Sequence, residues 1–202
     1  MPPHLPRGDK QLVQIVDGAF ADSARRSGNW LVCHAGCTQC CYGVFAINPL
    51  DVARLRAGLL RLQRTEPDAA ARIRGRAKES IKRLQANFPG DSRTGTLVQD
   101  FEADRRFSSF ANDEPCPALN PSSGRCDLYE SRPMTCRVFG PPVRSEEGLG
   151  VCELCYHGAT DEQIAACEMI PDPDDLESQL LRQLEAVGKS GHTIVAYCLA
   201  SE

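Results

Sequence analysis

No apolar run in this 202-residue chain approaches the roughly 20 residues that a helix needs to cross a bilayer, so no membrane span is expected. The stretch Met1 to Lys10 contains prolines and an Asp but no apolar core and no small-residue cleavage site, so no secretory signal is expected either. Whole units do not repeat, and no tract has low complexity. The chain lacks the alternating strand–helix pattern that surrounds thioredoxin-like redox pairs. A net charge of −4 gives the whole molecule no strong pull toward nucleic acid. The charge is uneven: Asp51 to Arg83 carries ten Arg or Lys against four acids, and Ser145 to Glu202 carries twelve acids against Arg182 and Lys189. The basic stretch has no interleaved aromatics on which bases could stack, so solvated faces that balance within the fold are the simpler reading.

What the chain does have is eleven cysteines. The count is odd and no leader is expected, which points to a reducing, cytoplasmic setting rather than an oxidised extracellular framework. In that setting clustered thiols serve more often as ligands than as bridges. Nine of them fall into three groups: Cys33, Cys37, Cys40 and Cys41; Cys116, Cys126 and Cys136; Cys152 and Cys155.

Periodicity outside these groups is helical. Leu12, Ile15, Val16, Ala19 and Phe20 predict a helix from about Asp9 to Ser27, ended by Gly28-Asn29. Asn48-Pro49 is a helix start, with Val52, Leu55, Leu59 and Leu62 as its apolar stripe. Ile73, Ala77, Ile81, Leu84 and Phe88 predict a third helix, stopped by Pro89-Gly90. Leu97, Phe101, Phe107 and Phe110 suggest another. Residues Glu114 to Pro142 read as turns with at most a small hairpin around Asn120 to Gly124. Thr160 or Asp161 can cap a helix reaching Met169, Leu176 to Val187 forms an amphipathic stripe, and His192 to Ala200 is ambiguous between helix and strand. The expected fold is mainly α: helices packed around an irregular cysteine-rich metal-binding centre. A single domain is expected over residues 1–202, with the metal-binding core at about 30–157 and a C-terminal helical segment at 158–202.

Thiolates are soft anionic donors that suit zinc and iron, and short spacings let one loop supply several. Cys33-x3-Cys37-x2-Cys40 is compact enough to give three ligands to one site. Adjacent Cys40 and Cys41 tend to diverge, so they could serve two metals, or one could ligate while the other packs or stays reactive. Cys116, Cys126 and Cys136 suit loops converging on a site. Arg125, Arg132 and Arg137 lie among them, and guanidinium groups there would offset excess thiolate charge and donate hydrogen bonds to sulfur. Arg132 and Arg137 are the candidates for that role. Cys152-x2-Cys155, with His157 nearby, reads as an auxiliary pair or part of a second site. Cys167 and Cys198 sit among apolar residues and read as small buried hydrophobes. His34 lies inside the first group, whose cysteines already supply enough thiols, and His4 and His192 have no supporting context.

The order Cys33-His-Ala-Gly-Cys-Thr-Gln-Cys-Cys41, then Cys116-Pro117-Ala118-Leu119, then Cys126-Asp-Leu-Tyr-Glu-Ser-Arg-Pro-Met-Thr-Cys136-Arg137 resembles the bacterial CxxCxxCC, or YkgJ-like, zinc- or iron-chelating family. This chain departs from the pattern in having three residues, not two, between Cys33 and Cys37. The resemblance implies a metal centre built from Cys33, Cys37, Cys40, Cys41, Cys116, Cys126 and Cys136, with zinc and iron both open. A related cysteine pattern occurs in flagellin lysine N-methylases, which suggests a link to protein modification, although no separate glycine motif for S-adenosylmethionine is present.

Three functions follow, in descending order. The first is a cytosolic protein holding zinc, iron or an iron–sulfur cluster, because seven or more thiols exceed one tetrahedral site. The second is an iron–sulfur enzyme acting in protein modification, by methyltransfer or S-adenosylmethionine-dependent chemistry. The third is an interaction module with a structural metal, whose basic helices over Asp51 to Arg83 meet a protein partner.

Overall fold

The computed structural model describes residues 5–34, 36–145 and 148–201, so His4 and the first residues of the N-terminal stretch lie outside the described residues. Its helices are α1 (Asp9–Ser27), α2 (Pro49–Thr65), α3 (Pro67–Leu84), α4 (Phe101–Phe107), α5 (Met134–Val138), α6 (Asp161–Ala166), α7 (Leu176–Glu185) and α8 (Val195–Ala200). The strands pair only as two-stranded antiparallel ribbons: β1 (Ala46–Ile47) with β8 (Thr193–Ile194), β2 (Gly90–Asp91) with β3 (Thr96–Leu97), β4 (Leu119–Asn120) with β5 (Arg125–Cys126), and β6 (Val143–Ser145) with β7 (Gly148–Gly150). The architecture is mainly α, as the periodicity predicts.

The chain forms two compact units. The first comprises residues 1–5, 36–133 and 184–202. Here α2 begins where predicted, because the Asn48 side chain accepts hydrogen bonds from the backbone N–H groups of Leu50 (3.0 Å) and Asp51 (3.1 Å). Leu55, Leu59, Ala70, Ile73 and Ala77 from α2 and α3 form one core with Ile47, Ala118, Leu128, Val195, Cys198 and Leu199. A second cluster joins Leu84, Phe88, Leu97, Ile194 and Ala196. The ambiguous segment after His192 is both things in turn: two residues of β8 complete the ribbon begun by β1, and α8 then fills the core.

Two details differ from expectation. α3 stops at Leu84 and a 3-10 turn over Gln85–Asn87 delivers Phe88 to the second cluster. Leu97 belongs to a strand, because Gly95 turns the chain with φ +74 against the Tyr197 ring, where a Cβ would lie 2.2 Å from Tyr197 Cγ. The basic residues of α2 and α3 are partly answered inside this unit: Arg76 pairs with Asp127 at 2.9 Å and Arg83 with Glu114 at 2.6 Å.

The second unit comprises residues 6–35 and 134–183. α1 buries Leu12 and Val16 and ends at Gly28. α6 opens with the expected Thr160, which forms a reciprocal capping box with Gln163. It closes at Ala166 rather than Met169, with Cys167 at its C-terminal end.

Candidate metal centre

In the first unit, the cysteine loop is built by backbone geometry. Gly36 adopts φ +98, and Gln39–Cys41 make a tight 3-10 turn in which the Cys41 N–H donates to the Thr38 carbonyl at 2.8 Å. The loop is then stitched to the Cys-Pro segment. The Cys116 N–H donates to the Cys41 carbonyl at 2.8 Å, and the Gly43 N–H donates to the Glu114 carbonyl at 3.0 Å. Gly43 has φ +89 and its Cα faces the Asn112 backbone closely, so a side chain there would push the two segments apart.

Cys126 arrives on β5, registered opposite Leu119 of β4. The hairpin turns at Gly124 (φ +66), where a Cβ would make ordinary contact with the Gly36 carbonyl and the Thr38 methyl, on the two residues flanking Cys37. Asp127 anchors this hairpin by accepting from Arg76 and from Asn120 (3.1 Å). Cys40, Cys41, Cys116 and Cys126 therefore approach one another from two segments far apart in sequence.

Their electrostatics record that proximity. A hydrogen bond from Cys41 lowers the Cys40 thiol to about 7, with help from the Arg132 guanidinium and against the effect of burial. Cys41, giving that hydrogen bond, is pushed far upward, and the charges of Cys40, Cys116 and Cys126 add to its rise. Burial raises Cys116 to about 12, with Cys126 and Cys40 contributing. Burial also raises Cys126, partly through Asp127 and Cys40 and against Arg132. Cys41, Cys116 and Cys126 thus resist ionising beside a readily ionised Cys40, and a cation that replaces their protons relieves that resistance.

Arg132 acts on both Cys40 and Cys126. It is posed by the Tyr129–Ser131 turn, its guanidinium stacked 3.9 Å over the Tyr129 ring and donating to the Tyr129 carbonyl at 3.2 Å. Ser131 is fixed in turn by Arg61 at 2.8 Å and by close approach to Gly58 of α2, where a Cβ would stand 2.4 Å from Ser131 Oγ. Arg125 is exposed on β5.

The second unit holds the remaining candidates. Cys136 is half-buried on α5. Arg137 is almost wholly buried, and its Nη1 donates to both carboxylate oxygens of Asp17 at 2.8 and 2.9 Å. That carboxylate, on α1, is a partner that the sequence reading did not name. Cys152, Cys155 and Cys167 pack with Tyr156 in one buried cluster, against which Trp30, Leu31, Cys33, Ala159 and Ile164 lie. His157 and His34 are exposed, and His34 bonds the Val32 carbonyl at 2.8 Å. His192 is hydrogen-bonded to Gln99.

Cys198 behaves as the buried hydrophobe expected of it. It is 2 % exposed, contacts the Val52 carbonyl through sulfur at 3.7 Å, and is raised by burial to about 12. Cys167 is as buried, but its neighbours are other cysteines, an association that its sequence surroundings did not suggest. All eleven cysteines are unbridged. Among the described residues, no three Cys, His, Asp or Glu side chains already stand in the arrangement of a closed ion site. The donor chemistry of the first unit nevertheless suits a thiophilic metal: neighbouring sulfurs with a guanidinium beside two of them.

Fold and site together define a mainly helical protein with thiol-rich loops brought together for metal chelation. The chain belongs to the CxxCxxCC family, described as "putative zinc- or iron-chelating domain", whose profile matches residues 32–156. No curated protein and no solved structure shows a match to the chain. Among the described residues, no helix is long and apolar enough to cross a membrane.

Proposed function

We propose that this is a metal-holding protein whose principal centre lies in the first unit, with Cys40, Cys41, Cys116 and Cys126 as ligands and Cys37 beside them. The observation that carries the reading is the backbone bond from Cys116 N–H to the Cys41 carbonyl, together with the mutual influence of the four thiols. Zinc or iron is the ion, and it would supply charge neutralisation and a rigid joint between the two segments. Arg132 offsets the surplus negative charge of several thiolates and limits which of them must be protonated. Cys33 and Cys136, which complete the family's cysteine order, lie in the second unit. Unbridged thiols throughout fit a reducing compartment such as the cytosol. More than four donors leave room for an iron–sulfur cluster as well as for a single zinc.

The test is metal analysis with an absorption spectrum on anaerobically purified protein. A sulfur-to-iron chromophore identifies a cluster or iron site, whereas stoichiometric zinc leaves the protein colourless. The Cys116→Ser variant is expected to lose the metal of this centre. Purified protein with neither metal in stoichiometric amount would end the proposal.

A further inference from the structure

The second unit carries four sulfurs that the centre above does not use. Three of the four buried members of its thiol cluster are cysteines: Cys152 is 5 % exposed, Cys155 is 4 % and Cys167 is 2 %. Cys33 packs against them.

The backbone around these residues is arranged for sulfur. Gly140 has φ +122, and a Cβ there would fall 2.8 Å from Cys33 Sγ, so the glycine leaves the space that this sulfur fills. The Gly140 carbonyl accepts the Cys152 N–H at 3.3 Å, so Cys33 and Cys152 meet at one residue. The Cys155 N–H donates to the Cys152 carbonyl at 2.9 Å, which closes the C-x2-C segment into a knuckle. Tyr156 follows in the left-handed region at φ +59, a conformation that costs energy for a residue with a side chain. It is held there by its N–H to the Trp30 carbonyl (2.9 Å) and by its hydroxyl to Ser27. Cys167 is delivered from the end of α6, its carbonyl accepting from Ser23 of α1. The Tyr156 hydroxyl is raised mainly by burial and also by Cys167 and Cys155, so both sulfurs border the same ring.

We infer that Cys33, Cys152, Cys155 and Cys167 form a second, structural metal site, a closed four-thiolate site for a zinc-class divalent ion. Three of the four sulfurs are buried and Cys33 is half-buried, an enclosure that suits a structural rather than a catalytic zinc. Zinc–sulfur bonds of about 2.3 Å in a tetrahedron put the sulfurs roughly 3.8 Å apart, close to the contact distance of packed thiols. Among the described residues no three such side chains already stand as an ion site, so an entering ion would have to draw these packed sulfurs together, each thiol surrendering its proton to solvent. This site is independent of the principal centre and extends beyond the family match, because Cys167 lies outside residues 32–156.

The experiment counts metal in the full chain by native mass spectrometry after anaerobic purification from zinc-supplemented culture. Cys167→Val keeps an apolar side chain of similar volume and is compared with Cys198→Val and Cys116→Ser. The expected result is loss of one metal equivalent in Cys167→Val, no loss in Cys198→Val, and loss of a different equivalent in Cys116→Ser. Full metal content in Cys167→Val overturns the inference, whatever Cys116→Ser shows. If Cys167→Val fails to fold, alkylation of the wild-type protein decides. Cys33, Cys152, Cys155 and Cys167 should become modified together when a zinc chelator is added, and modification of the four at unrelated times, or before the chelator, also overturns it.

Discussion

The two units solve the same problem in opposite ways. The first has a conventional aliphatic core from α2, α3 and α8, and of its eleven buried members only Cys198 is a cysteine. Its clustered thiols are half-buried, carried on loops and a hairpin laid against that core. In the second unit, buried residues such as Leu12, Val16 and Leu180 are joined by a cluster around Tyr156 in which three of the four buried members are cysteines. On the reading proposed above, a metal in the first unit would be mounted on an existing fold, whereas an ion among the second unit's sulfurs would share one equilibrium with the packing around it.

The largest expected effect follows from that contrast. Chelation under reducing conditions should abolish hydrogen-exchange protection around Cys152, Tyr156 and Cys167 while α2 and α3 stay protected. Equal loss in both units would erase the distinction. Next in size, Ile73→Ala empties a fully buried site in the aliphatic core and should cost about 2–5 kcal/mol in denaturant unfolding.

Arg132→Ala removes the guanidinium acting on Cys40 and Cys126 and should weaken metal binding in the first unit about 10-fold or more in a competition titration. Arg132→Lys, which keeps the charge but not the stacking on Tyr129, should recover part of that loss.

Cys198 offers a pH test of the aliphatic core. Its folded pKa is raised from 9.0 to about 12, so the stability it contributes is complete below pH 9 and is lost as pH rises through about 12. The loss should reach about 1.4 kcal/mol by pH 10. The stability of the wild type relative to Cys198→Val should therefore fall as pH rises from 8 to 11 in paired unfolding curves. The smallest effect belongs to Asn48→Ala, which removes the cap of α2 and should cost about 1 kcal/mol without touching either set of thiols.

Legibility in the sequence tracked how local each cause is. Asn48 and Thr160 announce helix starts because the capping atoms and the capped N–H groups lie within three residues. Helix α1 runs over the predicted residues for the same reason, with Gly28 at its end. Leu97 was misplaced because its strand is only two residues long and owes its existence to a turn at Gly95 lying on the Tyr197 ring. The cysteine groups were visible as spacings, but their grouping in space was not. Cys167 joins Cys152 and Cys155 through the end of a helix whose own pattern shows only apolar neighbours. Arg137 and Asp17 are likewise paired across a separation that no local pattern reveals.

The ribbon of β1 with β8, continued by α8, has a consequence for how the protein comes into being. The core around Ile47 and Leu55 waits for Val195 and Leu199, so it closes only after the residues of α8 have left the ribosome. The loop at Cys37 to Cys41 and the Cys116 segment bonded to it are made well before that, and their final footing comes late, with the docking of α8.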